Sequence, residues 1–346
     1  SPHIRSMAAP STADIFAAFN KVTAADSTTD SEWVQPFTPF ASNEENQFLF
    51  FLKPEATSAN VKYILDLSIK ILAEAGVSFG GVRVVGGPYL DRHNIMVDHY
   101  GVISKISKEG TAILSDAAKE KLAKDFADDV AAVGQPLGGH QWLAQNPEFT
   151  PLALATVNDN IGATRLAGGS YLCKFKVQGK VQLVLNSFHP YQLVPFIKKG
   201  SALIVFDCRS KLSWDDLRTK LCGTTNPATA VEGSVRHALL ANKEATGMVA
   251  VSIASNGCHM SAGPLEGLVE LQRFFSDRDG GNVADLSSFA FGSLLLAKGL
   301  SAEQVNKLAT NPNIAVGDKS ESVFDMTEEK SAVESADILK GLSASL

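Results

Sequence analysis

Gln47-Phe48-Leu49-Phe50-Phe51-Leu52-Lys53-Pro54-Glu55 (residues 47–55) is the stretch on which the fold turns. Its unbroken apolar run, without polar alternation, predicts a strand covered on both faces, and Lys53 then reads as a strand-end charge reaching for water. Outward from it, Ser58 can cap a helix over 59–75 whose apolar face is Val61, Ile64, Leu65, Ile69 and Leu72, with Gly76 as the stop. A strand at 82–85 ends in Gly86-Gly87-Pro88, and a helix carrying Met96, His99 and Tyr100 follows. Further on, 202–207 and 248–254 read as buried strands, and 191–199, 214–221 and 262–275 as helices. Strands and helices alternate without the regular parallel pattern of a doubly wound fold, and there is no GxxxxGK[ST] or strand-linked GxGxxG. The expectation is α+β, a small sheet with helices on it.

The other segments differ in character. Residues 7–46 are rich in Ala, Ser, Thr and Asp, have a short helical pattern near Ile15 and Phe19, and read as a loosely packed arm. Ser1–Ser6 reads as a vector remnant ahead of Met7. Between 101 and 185 the expectation is a charged amphipathic helix over 115–130, a Gly-rich loop at 134–139, and a hairpin of 171–177 with 181–185 around Gln178-Gly179. The tail, 277–346, has two or three helical patterns.

Composition narrows the function. In 346 residues, 31 Lys and Arg against 37 Asp and Glu leave a net charge of −6, without the basic excess that a nucleic-acid backbone demands. A small anionic ligand needs only a few placed cations. Apolar runs are strand-sized and short of a membrane span. Cys173, Cys208, Cys222 and Cys258 are scattered without a CxxC pair or zinc spacing, which suits a reducing, cytoplasmic compartment.

Three clusters carry chemistry. Asn256-Gly257-Cys258-His259-Met260-Ser261 stands between an expected strand and a helix N-terminus, where backbone N–H groups favour negative charge. Glu270, three turns into that helix, can fix the imidazole tautomer. Gly223-Thr224-Thr225-Asn226-Pro227, with Gly233-Ser234-Val235-Arg236 after it, offers the hydroxyls, backbone donors and guanidinium that a phosphate chain needs. Lys53-Pro54-Glu55 is the third.

Taken in order, these resemble the nucleoside diphosphate kinase family. Phe50-Phe51-Leu52-Lys53-Pro54-Glu55 resembles its first strand, ending in Lys-Pro-Asp. His99-Tyr100 looks like its His-Tyr helix end, and Asn186-Ser187-Phe188-His189-Pro190 like its Arg-Pro-Phe-Phe-Pro. Gly223 to Pro227 matches Gly-x-Thr-Asn-Pro, Glu232-Gly233-Ser234-Val235-Arg236 is similar to Pro-Gly-Thr-Ile-Arg, and Asn256 to Ser261 resembles Asn-x-x-His-Gly-Ser. Glu270 and Phe274-Phe275 continue the pattern. The resemblance spans 47–100 and 186–276 and implies a ferredoxin-like βαββαβ core, with 1–46 an arm, 101–185 an inserted α/β segment and 277–346 a helical extension.

It also implies chemistry. His259 would take the γ-phosphate of a nucleoside triphosphate and pass it to a nucleoside diphosphate, held by Ser261 and Glu270. Arg236 and Thr225 would hold phosphates, Lys53 and Asn256 the ribose and transferring oxygen, Tyr100 the phosphoryl flank and Phe188 the base. Magnesium (Mg2+) would arrive on the nucleotide, with no all-protein metal site. Several positions depart from the pattern. Thr219 stands where the family has an Arg, with Arg218 and Lys220 beside it. Met260 replaces a Gly, adding bulk beside the reacting nitrogen. Glu55 replaces an Asp, and Glu232 replaces the Pro of a subunit-contact loop, so a monomer or dimer is expected. The segments 101–185 and 277–346 are large enough to bind protein partners. The rival expectation is a weak or inactive kinase-like scaffold or nucleotide-binding module in a larger flagellar or cytoskeletal assembly.

Overall fold

The structure is a computed structural model and describes residues 10–42, 44–253, 255–316 and 319–342; the supposed vector remnant lies outside them. It is mixed α+β with mainly antiparallel sheets. The chain divides into two compact units, Ser1–Tyr89 with Lys199–Leu346, and Leu90–Lys198.

The first unit is built on a five-stranded antiparallel sheet. Its order is Ser31–Gln35, Ser78–Gly86, Ala202–Ser210, Asn46–Leu52, Cys258–Met260. All nine residues of Ala202–Ser210 are buried, as are six of the seven in Asn46–Leu52, which is why these strands carry no alternation. On one face Phe48, Phe50, Leu52, Val82, Val84, Ile204 and Phe206 pack with Ile64, Leu65 and Leu72 of the helix Val61–Glu74. On the other face lies the helix Pro264–Phe275, where Phe274 meets Phe51 at 5.6 Å between ring centroids.

Several expectations are corrected here. The N-terminal segment is no arm. Its helix Thr12–Thr23 buries Ile15, Ala18, Phe19 and Val22 in the core, because those residues recur at three- and four-residue spacing, and Ser31–Gln35 forms an edge strand. The first long helix is capped by Asn60, whose side chain accepts from the Tyr63 N–H, while Ser58 closes the short turn Pro54–Thr57. The 214–221 helix is a π-helical stretch, Asp216–Cys222. No strand forms over 248–253 (Ala254 lies outside the described residues): Val249 is 96% and Ile253 60% exposed. The tail is not wholly helical, since Asn313–Val316 pairs antiparallel with Lys319–Ser322 between helices Ala302–Ala309 and Val323–Thr327.

The same sheet buries a charge. Asp207 accepts from Arg209 Nη2 at 3.0 Å and from Gln47 Nε2 at 2.8 Å. Burial pushes its carboxyl up, against the pull of Arg209 and Gln47. Gly80 lies opposite, where a Cβ would collide with both members of the pair.

The second unit contains the hairpin expected around Gln178-Gly179, with Ser170–Val177 and Lys180–Leu185 paired antiparallel. Thr164–Ala167 extends it antiparallel and Leu137–Gly138 parallel. Alternation sorts the hairpin's side chains. Leu172, Leu183 and Leu185 pack with Ile106, Leu114 and Leu122 on one face, while Cys173, Phe175 and Val184 pack with Trp142 and Leu154 on the other. Among the described residues no helix is long and apolar enough to cross a membrane.

Candidate functional site

The residue patterns of the first unit converge on its shortest strand. Cys258–Met260 pairs with the Asn46–Leu52 strand in the register Phe50↔Met260, Phe51↔His259, Leu52↔Cys258. Because side chains alternate across a strand, Cys258 and Met260 enter the core cluster and His259 points to the opposite face. The bulk expected beside the reacting nitrogen is therefore absent: Met260 is buried on the far side of the sheet. His259 stacks on Phe51 at 4.7 Å and 24° between ring planes, and its side chain is 19% exposed.

A hydrogen-bonded relay fixes the ring. His259 Nε2 lies 2.8 Å from Glu270 Oε1, and Ser261 Oγ donates to Glu270 Oε2 at 2.6 Å. Ser261 is itself held by the strand, its Oγ accepting from the Leu49 N–H at 3.0 Å. Glu270 is 2% exposed and reaches the ring from the helix that starts at Pro264. A carboxylate only accepts, so Nε2 carries a proton in this contact.

Cationic and amide groups surround the same strand. Lys53 Nζ donates to Asn256 Oδ1 at 2.8 Å, and Asn256 Nδ2 donates to the Thr225 carbonyl at 3.2 Å. That contact ties the Gly-Thr-Thr-Asn-Pro loop to the strand. Arg236 donates to the Gly223 carbonyl at 2.8 Å and the Cys258 carbonyl at 3.2 Å. Burial pushes the Lys53 ammonium below its ordinary value. Glu55 accepts from the Gly257 N–H at 3.0 Å; its acid at the family-like position thus orients the turn before His259, a role the sequence did not reveal.

The structure thus brings Lys53, Thr225, Arg236, Asn256, His259, Ser261 and Glu270 into one neighbourhood. Tyr100 and Phe188 belong to the second unit, where Tyr100 meets the rings of His189 and Phe196 and Phe188 meets Tyr171 edge-on. The two cations flanking Thr219 are already engaged. Arg218 pairs with Glu328 at 3.4 Å and Glu329 at 3.9 Å, and Lys220 with Asp216 at 2.6 Å.

Glu266, one helical turn before Glu270, was not singled out by the sequence, although its i,i−4 spacing from Glu270 was a signal. Burial, then the charge of Glu270, pushes its carboxyl up to about 8. A carboxyl raised in the fold leaves stability intact below its unfolded range and removes it progressively as pH rises towards about 8. Glu266→Gln should therefore flatten the fall in urea midpoint between pH 4.5 and 8. An unchanged slope would place the burden elsewhere.

No protein-family model matches this chain, and no curated protein matches it. Among solved structures, an NDP kinase from Pyrobaculum aerophilum is similar at 15% identity and a TM-score of 0.34, over 68% of this chain and 97% of that one. At that level the likeness assigns no family.

Proposed function

We propose that the first unit is a nucleoside diphosphate kinase-like phosphotransferase acting through phosphohistidine at His259. The single observation that carries it is the Ser261–Glu270–His259 relay, which anchors the imidazole through Nε2. The ordered family-like motifs support the same reading, and so does a strand order in which the 46–52 strand lies between the 202–210 and 258–260 strands, as a ferredoxin-like core requires. In the first half-reaction Nδ1 attacks the γ-phosphorus, the bond to the bridging oxygen breaks, and the nucleoside diphosphate leaves. In the second, a β-phosphate oxygen of another nucleoside diphosphate attacks the phosphorus and the N–P bond breaks. Arg236 and the Thr225 loop would neutralise phosphate charge, and Lys53 and Asn256 would position the transferring end.

Magnesium fits as a companion of the nucleotide. Around His259 the chain offers Lys53 and Arg236, while the Glu270 carboxylate is taken by His259 and Ser261, so oxygen donors for a hard cation would come mainly from phosphates. When bound, the ion would neutralise phosphate charge.

Initial rates of label transfer from γ-labelled ATP to GDP, at several fixed GDP concentrations, test this. Double displacement predicts parallel double-reciprocal lines. Absence of transfer with nucleotide binding intact in calorimetry would favour the nucleotide-binding module. Because Arg218 is committed to Glu328 and Glu329, Thr219→Arg should raise kcat/KM, one charge-assisted contact being worth about 1.5–3 kcal/mol. No gain would show that the loop presents position 219 away from the phosphates.

A further inference from the structure

Beneath this site lie two cysteines to which the proposed chemistry gives no role. Cys222 ends the π-helical stretch before the Gly223 loop, and Cys258 opens the strand that carries His259. Their sulfurs are 3.9 Å apart, and both residues are buried, at 1% and 0% exposure. Arg236 spans the same two segments, through the carbonyl of Gly223, next to one cysteine, and that of Cys258 itself. The sulfur pair and the phosphate-binding guanidinium thus share one backbone frame.

Buried thiols are commonly small apolar fillers, and Cys208, buried alone beside Asp207 with its thiol pushed well up, is one. The pair differs from it. The Cys222 thiol is pushed down to about 6, first because Cys258 donates its S–H to it and then, against burial, because Arg236, Arg218 and Lys53 supply positive charge. A thiolate is the form that reacts with oxidants. Cys222 also lies two residues from the exposed Thr224, so a local opening of that loop brings solvent to the sulfur.

We propose that Cys222 and Cys258 are a reversible dithiol–disulfide pair, oxidised by hydrogen peroxide, that turns down the His259 site; the regulatory part rests on the phosphotransferase reading. The Cys222 thiolate attacks one peroxide oxygen and the O–O bond breaks, giving a sulfenic acid and hydroxide, which takes a proton to become water. The Cys258 sulfur then attacks the sulfenic sulfur, the S–O bond breaks as the hydroxyl leaves with the Cys258 proton as a second water, and the S–S bond closes. Two electrons pass from the thiols to one peroxide. A dithiol such as dithiothreitol reverses the step by exchange. To bond, the sulfurs approach by roughly 2 Å, which pulls on the two carbonyls that hold Arg236. Misplacement of about 1 Å at a phosphoryl-transfer site costs up to roughly a hundredfold in rate.

The test uses the full chain, treated with hydrogen peroxide, alkylated and digested without reduction. The expected result is a cross-linked peptide pair containing Cys222 and Cys258, lost on dithiothreitol treatment, with Cys173 and Cys208 alkylated. Exchange activity should fall tenfold or more and return on reduction, and Cys222→Ser should keep its activity in peroxide. Absence of the cross-link while other thiols oxidise overturns the proposal. So does a cross-linked protein as active as the reduced one. If the cross-link forms but the reduced protein transfers no phosphate, the phosphotransferase reading fails while the dithiol chemistry stands.

Discussion

His259→Ala should lower phosphoryl exchange by more than about a thousandfold, the scale seen when a nucleophile that acts through a covalent intermediate is removed. The fold should survive. The ring is part-exposed at an edge strand, and its loss leaves Glu270 still accepting from Ser261. One charge-assisted hydrogen bond goes, a cost of about 1.5–3 kcal/mol, so circular dichroism should be native at room temperature with a lowered Tm. Glu270→Gln separates two roles. It keeps the side-chain volume but turns an acceptor of two donors into an amide, so tautomer control is lost while packing stays. Exchange should fall with little change in Tm. Undiminished exchange in His259→Ala would move the acceptor to another residue.

Arg209→Met carries the largest expected effect on stability. Asp207 has no exposure, and its partners are Arg209 and Gln47. Removing the guanidinium leaves a buried carboxylate with one amide donor, a loss of about 3–5 kcal/mol for a broken buried pair. It also removes a donor to the Thr38 carbonyl and the cation–π contact over Phe40 at 4.0 Å. Adding Asp207→Asn should restore more than half of the loss, because the neutral amide still meets Gln47. Urea denaturation of the single and double variants measures both. If the double variant is no more stable than the single one, the penalty comes from Arg209's other contacts and not from the stranded charge.

How much of this was legible in the sequence depends on where the governing contact lies. The strand over 47–52 and the hairpin around Gln178-Gly179 announced themselves, because burial on both faces and turn chemistry are local signals. The N-terminal strand did not: every residue of Ser31–Gln35 is half-buried, so no alternation marks it, and only pairing with Ser78–Gly86 defines it. The run 248–254 misled for the opposite reason. Its Met, Val and Ile have strand propensity, yet among the described residues no strand pairs with 248–253, and the left-handed Gly247 turns the chain instead.

The site shows the same division. Lys53, Asn256, His259 and Glu270 were readable as a motif order, whereas the contact of Lys53 with Asn256 exists only because residues about 200 apart share a sheet. The same holds for Arg218: its partners Glu328 and Glu329 lie more than 100 residues on, so its commitment to the tail could not be read from its neighbours. The 3.9 Å approach of Cys222 and Cys258, 36 residues apart with no CxxC spacing, was equally silent.

Phosphorylation of His259 can be measured directly. Brief incubation of the full chain with γ-labelled ATP and magnesium, followed by denaturation, tests it directly. The expected result is one phosphate per chain at most, stable in base, lost in acid, mapped by peptide sequencing to His259 and discharged by added nucleoside diphosphate. Label that survives acid, or that sits on any residue other than His259, would contradict it.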